Sequence, residues 1–174
     1  PATAAAKPSV SDVPAAAPVL TASASDVPGG TAAAPAADAV AREKVIVSTD
    51  VLRLTFDGQG GAIGHAELLK YADHLDKTKP FVLFDESSSR VYLAQSGLIG
   101  GNFPTHKTTM QLMPGARELA DGANELQVRF ESPVQDGVKL VKTYTLKRGA
   151  YDIAVKHEVV NEGSTAVNPQ LYVQ

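Results

Sequence analysis

The sequence lacks cysteine and tryptophan altogether, and only 6% of its residues are aromatic. Without cysteine, disulfides, thiolate zinc sites and a cysteine nucleophile are excluded. The few aromatic residues offer no evident platform on which bases or sugars would stack. No apolar run approaches the roughly 20 residues of a membrane-spanning helix, and no signal peptide is recognisable. We therefore expect any anchor or leader of the natural protein to lie upstream.

The sequence also lacks a large excess of either positive or negative charge. The 16 Lys and Arg residues face 19 Asp and Glu residues, which gives a formal net charge of −3. No block of basic residues is present to neutralise consecutive phosphates, so nucleic acid is not an expected partner. The net charge is likewise too small to indicate attraction of the whole chain to an anionic membrane surface.

The composition changes abruptly near Arg42. Residues 1–41 hold 16 alanines and 6 prolines and no aromatic residue, so they have almost no surface to bury. Regularly spaced prolines interrupt every candidate helix. We predict that residues 1–41 form a disordered Ala/Pro-rich linker and that residues 42–174 form the folded domain. The linker is either a tail without a role or a spacer between an anchor and the domain.

Short β-strands dominate the rest of the sequence, and turn residues separate them. The candidates are residues 45–56 as one long β-rich stretch, 62–70, 81–84, 91–95, 107–113, 125–130, 138–146, 151–159 and 171–173. Turns are expected at residues 57–61, 147–150 and 161–164. No helix and no repeat is evident, so the pattern predicts an all-β antiparallel sandwich.

Period-two alternation identifies the inward faces of these strands. In the clearest example one face carries Tyr151, Ile153, Val155, His157 and Val159. In the preceding strand the inward set is Val138, Leu140, Tyr144 and Leu146. Leu52, Leu54 and Phe56 share a face in the first stretch. We expect these faces to point toward the core, and the face of residues 151–159 to lose cover if its opposing strands lie downstream of Gln174.

Four segments resemble the periplasmic domain of the bacterial membrane-protein insertase family YidC. They are VIVSTDVLRLTFDGQGGAIGHAELLKY (residues 45–71), RVYLAQSGLIG (90–100), VKLVKTYTLKRGAYDIAVKHEVVNEG (138–163) and NPQLYVQ (168–174). They occur in the family's order, and tetrads such as Gln95-Ser96-Gly97-Leu98 make the resemblance specific. The Ala/Pro tract resembles the variable tether that follows the family's first transmembrane helix.

The resemblance implies a β-supersandwich similar to galactose mutarotase. It places the domain between the first two transmembrane helices of a multi-pass inner-membrane protein, on the periplasmic face. That protein inserts and folds integral membrane proteins, alone or with the Sec translocon, and hydrolyses no nucleotide. The implied partners are SecD and SecF and nascent membrane proteins. We expect this segment itself to be soluble and non-catalytic.

The resemblance also implies that the family's domain continues past the point matching Gln174. The membrane bundle that carries the insertion groove follows it. We therefore expect the sandwich to be incomplete at its C-terminus, without the family's last strands and C-terminal helix.

Histidines are the main candidates for a reactive site. His65, His74, His106 and His157 show no paired metal-ligand spacing, and we interpret all four as structural. The likeness to mutarotase leaves an alternative, a carbohydrate-binding or sugar-epimerising domain. It would need a histidine such as His106 or His157 facing a carboxylate, for which Glu67, Glu131 and Glu158 are candidates. No motif pairs them, and fold likeness alone does not establish function. We predict no catalytic residue, no cofactor and no metal site, and a spacer without a ligand stays open as a third interpretation.

Two further patterns have structural interpretations. Lys139, Lys142, Lys147, Arg148 and Lys156 form either a positive strip facing a partner or lipid headgroups, or a solvated edge that discourages strand aggregation. We favour the solvated edge. The glycines at residues 60–61 and 97–101 lack the residues of a phosphate-binding loop. They indicate turns and close backbone approach.

Overall fold

The structure is a computed structural model that describes residues 43–86 and 91–174. Within these ranges the chain contains eleven strands and no helix, and every strand pairing is antiparallel. This confirms the predicted all-β antiparallel class. In the described part of the chain, no helix is long and apolar enough to cross a membrane. The linker predicted for residues 1–41 lies outside the described residues.

The first sheet has five strands in sequence order. They are β1 (Lys44–Ser48), β2 (Leu52–Asp57), β3 (Ala62–Ala72), β4 (Pro80–Glu86) and β5 (Val91–Tyr92). The prediction of one continuous stretch over residues 45–56 is wrong, because β1 and β2 form a hairpin. The Oγ1 of Thr49 accepts hydrogen bonds from the backbone N–H groups of Val51 and Leu52 at 3.3 and 3.0 Å. This polar contact makes the turn, and apolar periodicity does not reveal it.

Two smaller sheets complete the fold. In the four-stranded sheet the order is β10 (Ile153–Asn161), β9 (Val138–Lys147), β8 (Glu125–Glu131) and β7 (Gln111–Leu112). A two-stranded sheet pairs β6 (Ser96–Ile99) with β11 (Gln170–Val173). Two strands are shorter than predicted, because β5 and β7 contain only two residues each. The glycine-containing segment after Gln95 begins with a strand, whereas we predicted turns there.

The core lies between the first sheet and the four-stranded sheet. The ring centroid of Phe56 on β2 lies 5.5 Å from that of Phe130 on β8 and 4.8 Å from that of Tyr144 on β9. Leu52 and Leu54 are buried beside it, as the alternation predicted. Burying a side chain of this size contributes roughly 1.5–3 kcal/mol, so these facing residues hold the two sheets together.

The apolar face of β10 reaches this core only at Ile153, which is partly buried against it. Tyr151 is 38% exposed and Val155 is 41% exposed, which is the loss of cover expected for this face if its opposing strands lie downstream of Gln174. This exposure follows from the position of β10 in its sheet. β10 is the last strand of its sheet, and Leu83 and Phe84 of β4 leave a groove above it rather than packing against it.

Candidate functional site

An open groove of about 530 Å³ runs between β4, β10 and β11. Its apolar walls include Leu83, Phe84, Tyr151, Ile153, Val155 and Leu171. Its polar end is formed by Ser96 of β6 and His157 of β10. Because this groove combines an apolar wall with titratable groups, it is the place where binding or chemistry is best sought.

Lys142 lies behind the polar end of the groove. The alternation of β9 turns it inward with Leu140 and Tyr144, and it is only 1% exposed. Its Nζ donates hydrogen bonds to the carbonyl oxygens of Gly60 at 2.7 Å and of Ser96 at 2.8 Å. Burial lowers the pKa of Lys142 to about 8. The two carbonyls partly compensate the buried charge, and the ammonium thereby links β9 to β6 and to the turn between β2 and β3.

Ser96 also contacts His157. The serine Oγ and the imidazole Nε2 are 2.7 Å apart. Burial lowers the pKa of His157, and the positive charge of Lys142 lowers it further. Among the described residues no carboxylate hydrogen-bonds to His157, so the pair lacks the group that orients the imidazole in a catalytic triad.

The other three histidines make no hydrogen bond to this pair among the described residues. His65 on β3 contacts the carboxylates of Glu67 at 3.3 Å and Asp85 at 3.6 Å. His74 is exposed, with its ring edge-on to Phe81. His106 hydrogen-bonds through Nδ1 to the Tyr172 hydroxyl at 2.5 Å. The described ranges contain no cluster of three or more His, Cys, Asp or Glu side chains that could hold a metal ion.

The carboxylates considered for sugar epimerisation are engaged elsewhere. Glu67 pairs with Arg53 at 2.9 Å, Glu158 pairs with Lys156 at 3.1 Å, and Glu131 pairs with Arg129 at 2.9 Å. In the described structure none of them hydrogen-bonds to His106 or His157. The structure therefore does not pair His106 or His157 with the carboxylate that the alternative function needs, and Glu67 lies beside His65 instead.

The basic residues of the last hairpin do not form one solvated group. The prediction is wrong for Lys142, which is buried. Lys139 pairs with Glu131 and Glu162 at 3.4 and 3.2 Å. Arg148 donates to backbone carbonyls at 2.8 Å. In the sequence, Lys142 falls on the same alternating positions as Leu140 and Tyr144, which point inward. This alternation was the signal that its cation is buried.

The tetrad at residues 95–98 lies between the Lys142 and His157 side chains and the loop that carries His106. Ser96 supplies an acceptor to Lys142 and a hydroxyl to His157. A Cβ on Gly97 would lie 2.7 Å from the Tyr172 hydroxyl oxygen and 2.8 Å from the backbone nitrogen of His106. Only glycine therefore lets β6 approach this loop so closely. The sequence singled out the tetrad without revealing these contacts.

Comparison with known proteins gives a consistent result. The family model described as YidC periplasmic domain matches residues 44–174. The membrane protein insertase YidC of Herminiimonas arsenicoxydans is 44% identical over 163 residues, which cover 94% of this chain and 28% of that protein. The protein of the same name from Janthinobacterium sp. (strain Marseille) is 48% identical over 132 residues, 76% of this chain and 23% of that protein. The one from Bordetella avium is 45% identical over 150 residues, 85% and 26% respectively.

This chain thus spans about a quarter of the length of the curated relatives that it matches. The matched region begins at the first residue of β1 and continues through β11. It includes the tetrad at residues 95–98, the buried Lys142 and the strand that carries His157. From this continuous match we conclude that the chain belongs to the YidC periplasmic domain family.

Proposed function

We propose that this chain is part of the periplasmic domain of an inner-membrane insertase and serves there as a non-catalytic interaction module. The insertase inserts and folds integral membrane proteins, alone or with the Sec translocon. The observation that carries the proposal is the family match over residues 44–174, together with relatives named membrane protein insertase. Nascent membrane proteins and the SecD and SecF components are the proposed partners, and residues 1–41 are the proposed spacer.

The polar groups beside the groove support a binding role. The ammonium of Lys142 is hydrogen-bonded to two carbonyls, and the hydroxyl of Ser96 is engaged with His157. Among the described residues no carboxylate orients His157, as a catalytic triad would require. No carboxylate lines the described groove, which argues against the carbohydrate alternative, because sugar sites combine aromatic rings with carboxylates.

Site-directed crosslinking of the full-length protein in membranes tests this function. A photoreactive residue is placed in the groove at Val155 or Leu171, and matched probes are placed on the opposite face of the four-stranded sheet at Gln127 or Thr145. Further probes cover the remaining surface. We expect adducts with Sec components or nascent membrane proteins at a confined set of positions. The absence of adducts at every position contradicts an interaction module.

A further inference from the structure

The loop that joins β3 to β4 presents one fully exposed leucine. We call residues 73–79 the hairpin tip. The backbone N–H of Asp73 donates to the carbonyl of Lys79 at 2.9 Å and closes the loop. Leu75, at its apex, is 99% exposed. An isolated exposed leucine is ordinary on a protein surface, so its surroundings decide what it signifies.

Both carboxylates of the hairpin tip are used by the turn itself. Asp73 accepts hydrogen bonds from the backbone N–H groups of Leu75 and Asp76 at 2.8 and 3.1 Å. Asp76 accepts from the backbone N–H and the hydroxyl of Thr78 and pairs with Lys79 at 3.1 Å. These bonds hold the pKa of both carboxyl groups below the usual range. Both carboxylates therefore stay ionised. Lys79 offsets the charge of Asp76, and the hydrogen-bonded turn holds the leucine outward.

Two lysines and a tyrosine lie close to this apex in the sequence. Lys70 and Lys77 are exposed, and within the described ranges neither forms an ion pair. The ring of Tyr71 is exposed and meets the ring of Tyr151 edge-on, with centroids 5.5 Å apart. The nearby Asp50 carboxylate accepts a hydrogen bond from the Gly149 backbone at 3.0 Å. This end of the domain therefore presents an apolar apex, amphipathic rings and two exposed lysines that form no ion pair within residues 43–86 and 91–174.

These residue types are the ones that favour the successive layers of a bilayer surface. An apolar side chain favours the acyl boundary, tyrosine favours the headgroup level, and lysine ammonium groups bind lipid phosphates. We propose that the hairpin tip docks on an anionic lipid surface, with Leu75 inserted and Lys70 and Lys77 on phosphates. The proposal rests on the proposed function, which keeps the domain beside a membrane. The proposed contact depends on the local positive charge of Lys70 and Lys77, because the net charge of the whole chain does not favour an anionic surface.

Because the sequence contains no cysteine, an introduced cysteine is the single thiol available for labelling. Leu75→Cys and the matched control Ile46→Cys, an exposed apolar site on β1, are labelled with the environment-sensitive dye NBD. The full chain is anchored through an N-terminal hexahistidine tag to phosphatidylcholine vesicles that contain nickel-chelating lipid, with or without phosphatidylglycerol. We expect a blue shift at position 75, and quenching by nitroxide-labelled lipid, on the phosphatidylglycerol vesicles, while the probe at position 46 stays aqueous.

Charge reversal tests the role of the lysines. Lys70→Glu with Lys77→Glu should abolish the blue shift at position 75, whereas Lys107→Glu, at an exposed lysine of another loop, should preserve it. An aqueous spectrum at position 75 on both vesicle types overturns the proposal, and so does an equal blue shift at position 46. Neither result bears on the crosslinking of the full-length protein, so failure of the lipid contact is distinguishable from failure of the proposed function.

Discussion

The ammonium nitrogen of Lys142 lies 2.8 Å from the carbonyl oxygen of Ser96, whose hydroxyl oxygen lies 2.7 Å from the imidazole of His157. One serine on a short strand thus contacts both titratable groups beside the groove. Because the charge on Lys142 lowers the pKa of His157, the protonation states of the two groups are coupled.

The buried lysine should make stability rise with pH. Above about pH 8 the native state loses the Lys142 proton, whereas the unfolded chain keeps it until its ordinary pKa near 10.4. Stability rises with pH wherever the unfolded state binds more protons. Between about pH 7.5 and 9.5 we expect a gain of about 2 kcal/mol in the free energy of unfolding, measured by urea melts.

Lys142→Met should remove this gain, and Lys139→Met, at a surface ion pair, should preserve it. The window ends near pH 9.5 for a physical reason. Burial raises the pKa of Tyr144, so the unfolded tyrosine ionises first, near pH 10, and stability then falls. A wild-type curve parallel to that of Lys142→Met would show that the buried ammonium stays charged throughout the window.

Acidification should destabilise the domain through His157. Its pKa in the folded state lies below the ordinary value of 6.5, so the native state binds fewer protons than the unfolded state in this range. Stability is therefore lost as the pH falls below 6.5. NMR titration of the imidazole should give a pKa below 6.5, and Lys142→Met should raise it. An unchanged midpoint in the variant contradicts the coupling.

The sequence predicted the class of the fold well and the surroundings of Lys142 poorly. Period-two alternation located β9 and β10, because side chains on a strand alternate between two faces. It gave no sign that β10 lies at a sheet edge, since burial depends on which strands oppose it. It also grouped Lys142 with surface lysines, because charge is a poor guide to burial when the partners are backbone carbonyls distant in sequence.

Gly97→Ala should destabilise the domain. The added Cβ would meet the backbone of Thr105 and His106 at 2.8 Å, and backbone atoms cannot move aside cheaply. Overpacking of this kind costs about 1–3 kcal/mol. Gly64→Ala is the matched control, since the nearest atoms to its Cβ lie 3.7 and 3.8 Å away. Urea midpoints measure both changes, and equal midpoints would show that β6 does not need the close approach.

The uncovered face of β10 should limit the stability of residues 1–174. Exposed Tyr151, Val155 and Val159 each forgo part of the roughly 1.5–3 kcal/mol that full burial contributes, and an open strand edge promotes association. We predict that a chain prolonged to the family's full periplasmic length unfolds at higher urea concentration and that the shorter chain tends to dimerise or aggregate. A monomeric short chain with the same midpoint contradicts this prediction.

The domain should not catalyse sugar epimerisation. His106 and His157 face no carboxylate among the described residues, so the acid and base that ring opening requires are not paired. Polarimetry of galactose and glucose with the purified chain should give the uncatalysed rate. A rate enhancement that disappears in His106→Ala or His157→Ala would establish the carbohydrate alternative instead.

The pairing of β6 with β11 also has a kinetic consequence. The hairpins β1–β2 and β9–β10 join neighbouring segments, whereas the contact between His106 and Tyr172 closes a loop of 66 positions. Closing a long loop costs more chain entropy than forming a hairpin, and pairings distant in sequence form slowly. Docking of β11 is therefore expected to be a late step in folding. During synthesis, Gly97 and the Ser96–His157 pair therefore lack β11 as a neighbouring strand until residues 170–173 have left the ribosome.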